Sequence, residues 1–251
     1  MKTIDLNCDL GEWRTETGLQ KDAAIMPFIS SCNIACGGHI GDNKSMLATL
    51  RLAMKHRVAL GAHPSYPDRK NFGRVVLDIQ SDKLRDSLLN QLNSFFELVD
   101  KESGSVHHIK PHGALYNEAA RNRKVAETVV QAFFEFDQKI PIYCQEGSEL
   151  AKVLADTGIP VTHEVFADRA YEDNLTLRSR KLEKAIIHEK EEVINHIHRM
   201  VIEAKVRTFS GLIKPIIAET MCLHSDTEGS IELAKSIFEY LKKKGVNIAA
   251  A

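Results

Sequence analysis

Two runs decide how this chain is read: S-C-N-I-A-C-G-G-H-I-G-D at residues 31–42 and V-A-L-G-A-H-P-S-Y-P-D-R-K-N-F-G-R at 58–74. Each starts as a short apolar run of β character and ends in glycine and then histidine. That is the pattern of buried parallel strands whose C-terminal tips hold polar side chains over a shared cleft. Between the two runs Met46, Leu47, Leu50, Ala53 and Met54 recur at spacings of three and four. This predicts a helix from Asn43 that returns the chain to the next strand.

The same unit repeats in both directions. From Thr3 to Cys8, Ile4, Leu6 and Cys8 alternate against Asp5 and Asn7, and the run ends in D-L-G-E at 9–12, a tip dense in carboxylates. Further strands are predicted over 106–110, 141–144 and 161–167, with a last one from about Pro215 through Ala218 to Leu223. Helices are predicted from Ser81, as N-cap, to Gly104, then over 125–136, through Leu150 and Leu154, over 193–204 and over 231–241. Residues 172–187 read as polar, irregular and basic. Roughly seven strands alternating with helices, with no internal repeat and no dividing linker, predict an α/β chain with a parallel sheet in one domain, 1–251. A closed β/α barrel is preferred to an open sheet, because nearly every strand tip carries a polar group and a barrel gathers its chemistry from all of them.

Composition removes several classes. Lys and Arg number 33 against 34 acidic residues, a net charge of −1 without blocks of either sign, so no electrostatic footprint for nucleic acid or an anionic membrane exists. No apolar run is long enough to span a bilayer and no leader pattern opens the chain, so a cytoplasmic location is expected. The five cysteines are odd in number and scattered, which predicts reduced thiols that pack as small hydrophobes. Cys32 and Cys36 lack the second ligand pair of a structural zinc site. Neither G-x-x-x-x-G-K-[ST], G-x-G-x-x-G after the first strand, nor a G-x-S-x-G elbow is present.

The chemistry gathers at the strand tips: Asp9, Glu12, His39, Asp42, His63, Asp68, His112, Glu164, Asp168, His224 and Asp226. Imidazole and carboxylate together serve a divalent metal or a general acid–base pair. Four histidines at tips, each beside Gly or Pro, point to convergence. His56, His188, His196 and His198 fall on helices and read as surface residues; His107 and His108 open their strand at the opposite end and read as structural. Lys110 projects near the rim, either to neutralise an oxyanion or to hold the loop in an ion pair. Asn7 and Asn33 either orient a substrate amide or bond loop backbone.

Six ordered motifs carry a family likeness: D-L-N-C-D-L-G-E (5–12), residues 31–42 above, G-A-H-P-S-Y-P-D-R-K-N-F-G-R (61–74), K-P-H-G-A-L-Y-N (110–117), E-V-F-A-D-R-A-Y (164–171) and C-L-H-S-D-T (222–227). Together they resemble the LamB/YcsF family from end to end. The chain departs from the family pattern at Ile40 and Ser225, in a shortened segment after Glu12, at Asn174 and at 181–184, where a Pro-Gly turn would follow Arg180.

The resemblance implies a distorted seven-stranded β/α barrel similar to the glycoside hydrolase/deacetylase superfamily. It also implies ATP-dependent cleavage of 5-oxo-L-proline to L-glutamate together with two partners, 5-oxoprolinase subunits B and C, which would handle the ATP. On that reading Asp9, His39, His63 and His112 act on water at the rim, directly or through a divalent metal held by Asp9, His39 and His63, and Lys110 stabilises the oxyanion. Asn7, Asn33, Asp42, Arg74, Glu164, Asp168, Arg169, His224 and Asp226 are the expected substrate contacts. A metal-dependent carbohydrate deacetylase and a non-catalytic 5-oxoproline-binding subunit are the alternatives.

Overall fold

Alternation in the first strand organises the fold. In β1, Thr3–Leu10, the apolar set Ile4, Leu6, Cys8 and Leu10 is fully buried, while Asp5, Asn7 and Asp9 bond to side chains of the other strands. The computed structural model describes residues 2–225 and 229–251. The strands that follow are β2 (Ser31–Ala35), β3 (Ala59–His63), β4 (Val106–Ile109), β5 (Ile142–Cys144) and β6 (Val161–Phe166). After them come β7 (Lys205–Arg207), β8 (Ile213–Pro215), β9 (Thr220–His224) and β10 (Asn247–Ile248).

Strands β1 to β6 pair in sequence order, all parallel, and β9 closes the ring by pairing with both β6 and β1. The result is a closed seven-stranded parallel barrel. Helices return the chain between strands: α1 (Glu16–Ile25), α2 (Asn43–His56), α3 (Ser81–Lys101), α4 (Gly113–Arg121), α5 (Arg123–Phe133), α6 (Glu149–Thr157), α7 (Lys190–Ile197) and α8 (Ser230–Lys243). Leu84, Leu88, Leu92, Phe95 and Val99 of α3 form the expected apolar stripe and are buried.

Three differences from the sequence reading have physical causes. Residues 205–223 are divided: β7 and β8 form an antiparallel hairpin, and only β9 enters the barrel. Pro215 has no N–H to extend a ladder, and the Ile217 N–H is taken by the Glu146 carboxylate, so the chain breaks before Thr220. Helix α4, absent from the predicted set, starts directly after His112 and ends where Asn122 accepts from the N–H groups of Lys124 and Val125 to start α5. Ser81 is the first residue of α3 and not its cap; Gln80 stands there without a side-chain bond. Among the described residues no helix is long and apolar enough to cross a membrane.

Candidate active site

The barrel interior is a polar stack that ends in the site. At its lower end the Asp5 carboxylate accepts from Ser30 Oγ (2.6 Å), Ser31 Oγ (2.8 Å), Tyr143 Oη (2.9 Å) and Thr220 Oγ1 (2.6 Å). One layer up, Asn7 Nδ2 donates to Thr220 Oγ1 (2.7 Å) and Glu164 Oε1 (2.9 Å), and Asn33 Nδ2 donates to Asn7 Oδ1 and to Asp9 Oδ1, both at 2.8 Å. His108 Nε2 meets Asn33 Oδ1 at 2.6 Å, and its ring stacks on Tyr143 at 3.8 Å. Gly61 is required beside it: a Cβ there would lie 2.1 Å from His108 Nε2. Asn7 and Asn33 are therefore spent on the core, with no donor directed at the rim.

Lys110 forms the floor. It is 2 % exposed, and its ammonium lies 2.8 Å from Glu164 Oε1, 3.0 Å from Asp9 Oδ1, 3.3 Å from Asn7 Oδ1 and 3.0 Å from Cys222 Sγ. Of the two roles open to it, the ion pair is the one observed. Burial opposes charge on Asp9, yet His63 and Lys110 outweigh it and hold the carboxyl well below the usual range. Burial opposes the Lys110 charge too, and Asp9, Cys222 and Glu164 reverse the balance.

Above the floor, His63 Nδ1 lies 2.7 Å from the Lys110 carbonyl and His112 Nε2 lies 2.9 Å from the Phe72 carbonyl. A carbonyl only accepts, so both of those nitrogens carry hydrogen. The inner nitrogens, His63 Nε2 and His112 Nδ1, then face each other at 3.0 Å, with Asp9 Oδ2 3.4 Å from His63 Nε2 and Glu12 Oε1 3.2 Å from His112 Nδ1. Two facing lone pairs beside two carboxylates require a positive charge between them, either a proton or a metal cation. His39 stands outside this pair: its ring stacks on His112 at 3.6 Å and its Nε2 donates to Glu12 Oε1 at 2.8 Å. Burial, and then the neighbouring His112, lowers His39 to about 3, so it is neutral, and its Nδ1 has no partner among the described residues. Glu12 is pulled far down by His112 and His39 against its own burial.

The metal trio expected from sequence, Asp9, His39 and His63, is thereby redrawn. The ligand atoms of Asp9, His63 and His112 lie within 4.8 Å of one another, whereas His39 groups with Glu12 and His112. Facing lone pairs fixed by outer-shell carbonyls fit a divalent cation, the usual way in which ligating imidazoles are oriented.

Across the floor His224, at the tip of β9, lies with its Nδ1 2.9 and 3.0 Å from the two Asp168 oxygens. A ring nitrogen of His224, an Asp9 oxygen and Cys222 Sγ also lie within 4.8 Å of one another. Arg169 is buried, with Nε on the Ala185 carbonyl (3.3 Å) and Nη2 on the Arg178 carbonyl (2.6 Å), so it braces a loop. Asp42 is exposed and caps α2 by accepting from Ser45 N, with Ser45 Oγ reciprocating. Arg74 is exposed beside the Phe72 ring. Asp226 lies outside the described residues.

Sequence reasoning placed Glu12 at a tip but gave it no role, and missed Asp22. Asp22 Oδ2, on α1, accepts from Gly11 N (2.9 Å) and Trp13 Nε1 (3.0 Å), the residues flanking Glu12. An acidic residue in a helix ten positions past a carboxylate tip was the only available signal. All five cysteines are free and buried, and burial pushes Cys36 and Cys144 up to about 12, which removes a thiolate nucleophile.

The model of the LamB/YcsF family matches residues 4–251. The A subunit of 5-oxoprolinase from Brevibacillus brevis is 39% identical over 250 residues, covering 100% of this chain and 98% of that one. A lactam utilization protein of Thermus thermophilus, solved by crystallography, superposes with a TM-score of 0.93 at 34% identity over 100% of both chains. The T48 deacetylase, solved with substrate, superposes at 0.50 with 11% identity over 99% of this chain and 88% of that one, a likeness of fold alone.

Proposed function

Because the chain belongs to the LamB/YcsF family, we propose that it is the A subunit of an ATP-dependent 5-oxoprolinase, opening the ring of 5-oxo-L-proline to L-glutamate. One observation carries the reading: the facing His63 and His112 nitrogens beside Asp9, with the Asp168–His224 pair on the other side of the same carboxylate. Hydrolysis of an amide needs a group that takes a proton from water and another that gives one to the departing nitrogen. One such group stands on each side of Asp9.

On this proposal the Glu12 carboxylate, beside the His63–His112 pair, accepts the water proton as the oxygen–carbon bond forms. His224, its Nδ1–H held by Asp168, donates from the other nitrogen as the carbon–nitrogen bond breaks, releasing the amine of glutamate. Lys110 keeps Asp9 ionised and oriented; with four neighbours around its ammonium it has no hydrogen left for an oxyanion. Asp9, His63 and His112 would hold a divalent cation. When bound, such an ion supplies Lewis acidity at the rim. The ATP-dependent activation of the lactam falls to partner subunits B and C.

The test is ATP-dependent conversion of 5-oxoproline to glutamate by the chain combined with subunits B and C. Omission of the chain should abolish it, and His63→Ala and His112→Ala should each lower turnover about 100-fold or more. Full turnover by both variants would remove the site assignment.

A further inference from the structure

Resting on the 5-oxoprolinase reading, we propose that Arg180 is the specificity-determining residue of this site, binding the carboxylate that distinguishes 5-oxoproline from an unsubstituted lactam. The loop carrying it is built over the rim. Immediately beyond β6, Ala170 N bonds to the Ala185 carbonyl, Arg178 N to the Ala170 carbonyl and Ile187 N to the Asp168 carbonyl, so residues 170–187 fold back on themselves beside Asp168. Arg169 clamps both legs of this loop through the Arg178 and Ala185 carbonyls. Between the clamped positions Ser179, Lys181, Leu182, Glu183 and Lys184 are exposed, and Arg180 alone is half-buried.

A half-buried guanidinium calls for an anion, and its neighbours offer none that is bonded to it. Among the described residues Arg180 makes no hydrogen bond or ion pair, while the other cations of this rim are committed. Lys110 is held by Asp9 and Glu164, Arg169 by carbonyls, Arg69 by the Gly37 and Gly41 carbonyls, and Arg178 by Glu172. The position of Arg180 is felt at the site: after burial it is the main influence lowering Arg169 to about 10, and it adds to the pull of His224 and Arg169 on Asp168. The loop's bonds to Ala170 and to the Asp168 carbonyl set it beside the proton-donating side, where a five-membered lactam seated on Asp9 would present the substituent on the carbon next to nitrogen. A guanidinium fork suits a carboxylate there better than an ammonium would.

The experiment compares Arg180→Ala and Arg180→Lys with the unaltered chain, each assembled with subunits B and C, after melting curves establish that all are folded. Arg180→Ala is expected to raise KM for 5-oxoproline about 10–100-fold, the effect of losing one charge-assisted contact, with a smaller change in kcat. Arg180→Lys should recover part of it. The inhibition constant of 2-pyrrolidone, which lacks the carboxylate, should be the same in all three. An unchanged KM in Arg180→Ala, or an equal weakening of 5-oxoproline and 2-pyrrolidone, would overturn the assignment, the latter by making Arg180 a brace of the loop. Failure of the unaltered complex to turn over 5-oxoproline would instead overturn the underlying functional reading.

Discussion

Replacing Lys110 with Met removes the one ammonium that meets two buried carboxylates, Asp9 at 3.0 Å and Glu164 at 2.8 Å, inside the barrel. Methionine keeps the length and packing of the side chain, so the change isolates the charge. Removing one partner of a buried ion pair costs about 3–5 kcal/mol, because the remaining charge is left without compensation. At about 2–4 °C per kcal/mol for a chain of this size, the melting temperature should fall by roughly 10 °C near pH 8. The pH dependence gives a second readout. Asp9 in the unaltered protein has a depressed pKa, so it contributes stability that is present above its unfolded value and lost as pH falls through the folded one. In Lys110→Met that contribution is reduced, since only His63 and weaker neighbours still hold Asp9 ionised, and protonation of the carboxylates at low pH relieves the variant. The gap between the two proteins should therefore narrow from pH 8 to pH 5. Circular-dichroism melts at both values decide it: a difference under about 2 °C at pH 8, or a gap that widens toward pH 5, would refute the ion-pair account.

Other substitutions probe separate parts of the same stack. Gly61→Ala should destabilise by about 1–3 kcal/mol in urea titrations, since its Cβ would strike the His108 ring; adding His108→Ala should leave the double variant no less stable than His108→Ala alone. Asp22 has its pKa raised to about 7 by burial, so the native state holds a proton that the unfolded chain has lost between about pH 4 and 7. Stability from this group declines across that window as pH rises, by about 4 kcal/mol at most, and Asp22→Asn, which keeps an acceptor for Gly11 N and Trp13, should decline less when melted at pH 5 and pH 8. His224→Gln should lower kcat of the assembled enzyme about 100-fold or more and leave KM within a few-fold, read from steady-state kinetics.

The barrel was legible because nearly every strand tip announces itself through Gly, Pro or His, and because the helices carry clean apolar stripes. The face assignment was not. In β1 the alternation of Ile4, Leu6 and Cys8 against Asp5 and Asn7 is plain, yet a period of two cannot say which set looks inward. Barrel interiors are ordinarily filled by branched apolar side chains, and here the polar set takes that place. The redrawing of the metal trio has a similar origin. His39, His63 and His112 look alike in sequence, but what separates them is which backbone carbonyl lies behind each ring, Lys110 for His63 and Phe72 for His112, against a carboxylate for His39. Carbonyls leave no mark on a sequence. The break before β9 was missed because 215–218 is apolar enough to read as strand, and only tertiary partners divert it.

A polar interior is costly unless each group is matched, and the matching explains why the site is part of the core. Asp5 holds Thr220, Thr220 holds Asn7, Asn7 holds Asn33 and Glu164, and Asn33 and Lys110 hold Asp9. Every link uses both a donor and an acceptor, so no member can rotate without leaving a neighbour unsatisfied, which costs about 1–3 kcal/mol per group. The hydrophobic stabilisation that tolerates this lies between barrel and helices, where Ile4, Leu6, Leu10, Ile34, Leu50 and Leu88 are fully buried. The orientation of Asp9 is thus fixed from beneath by β2, β4 and β9 rather than by rim loops. Loops after β1 and β3 then add Glu12 and the Phe72 carbonyl around the His112 ring. The departures from the family pattern at 174 and 181–184 fall in the loop after β6, away from this bonded stack, whereas Ser225 joins it by donating to the Asp9 carbonyl.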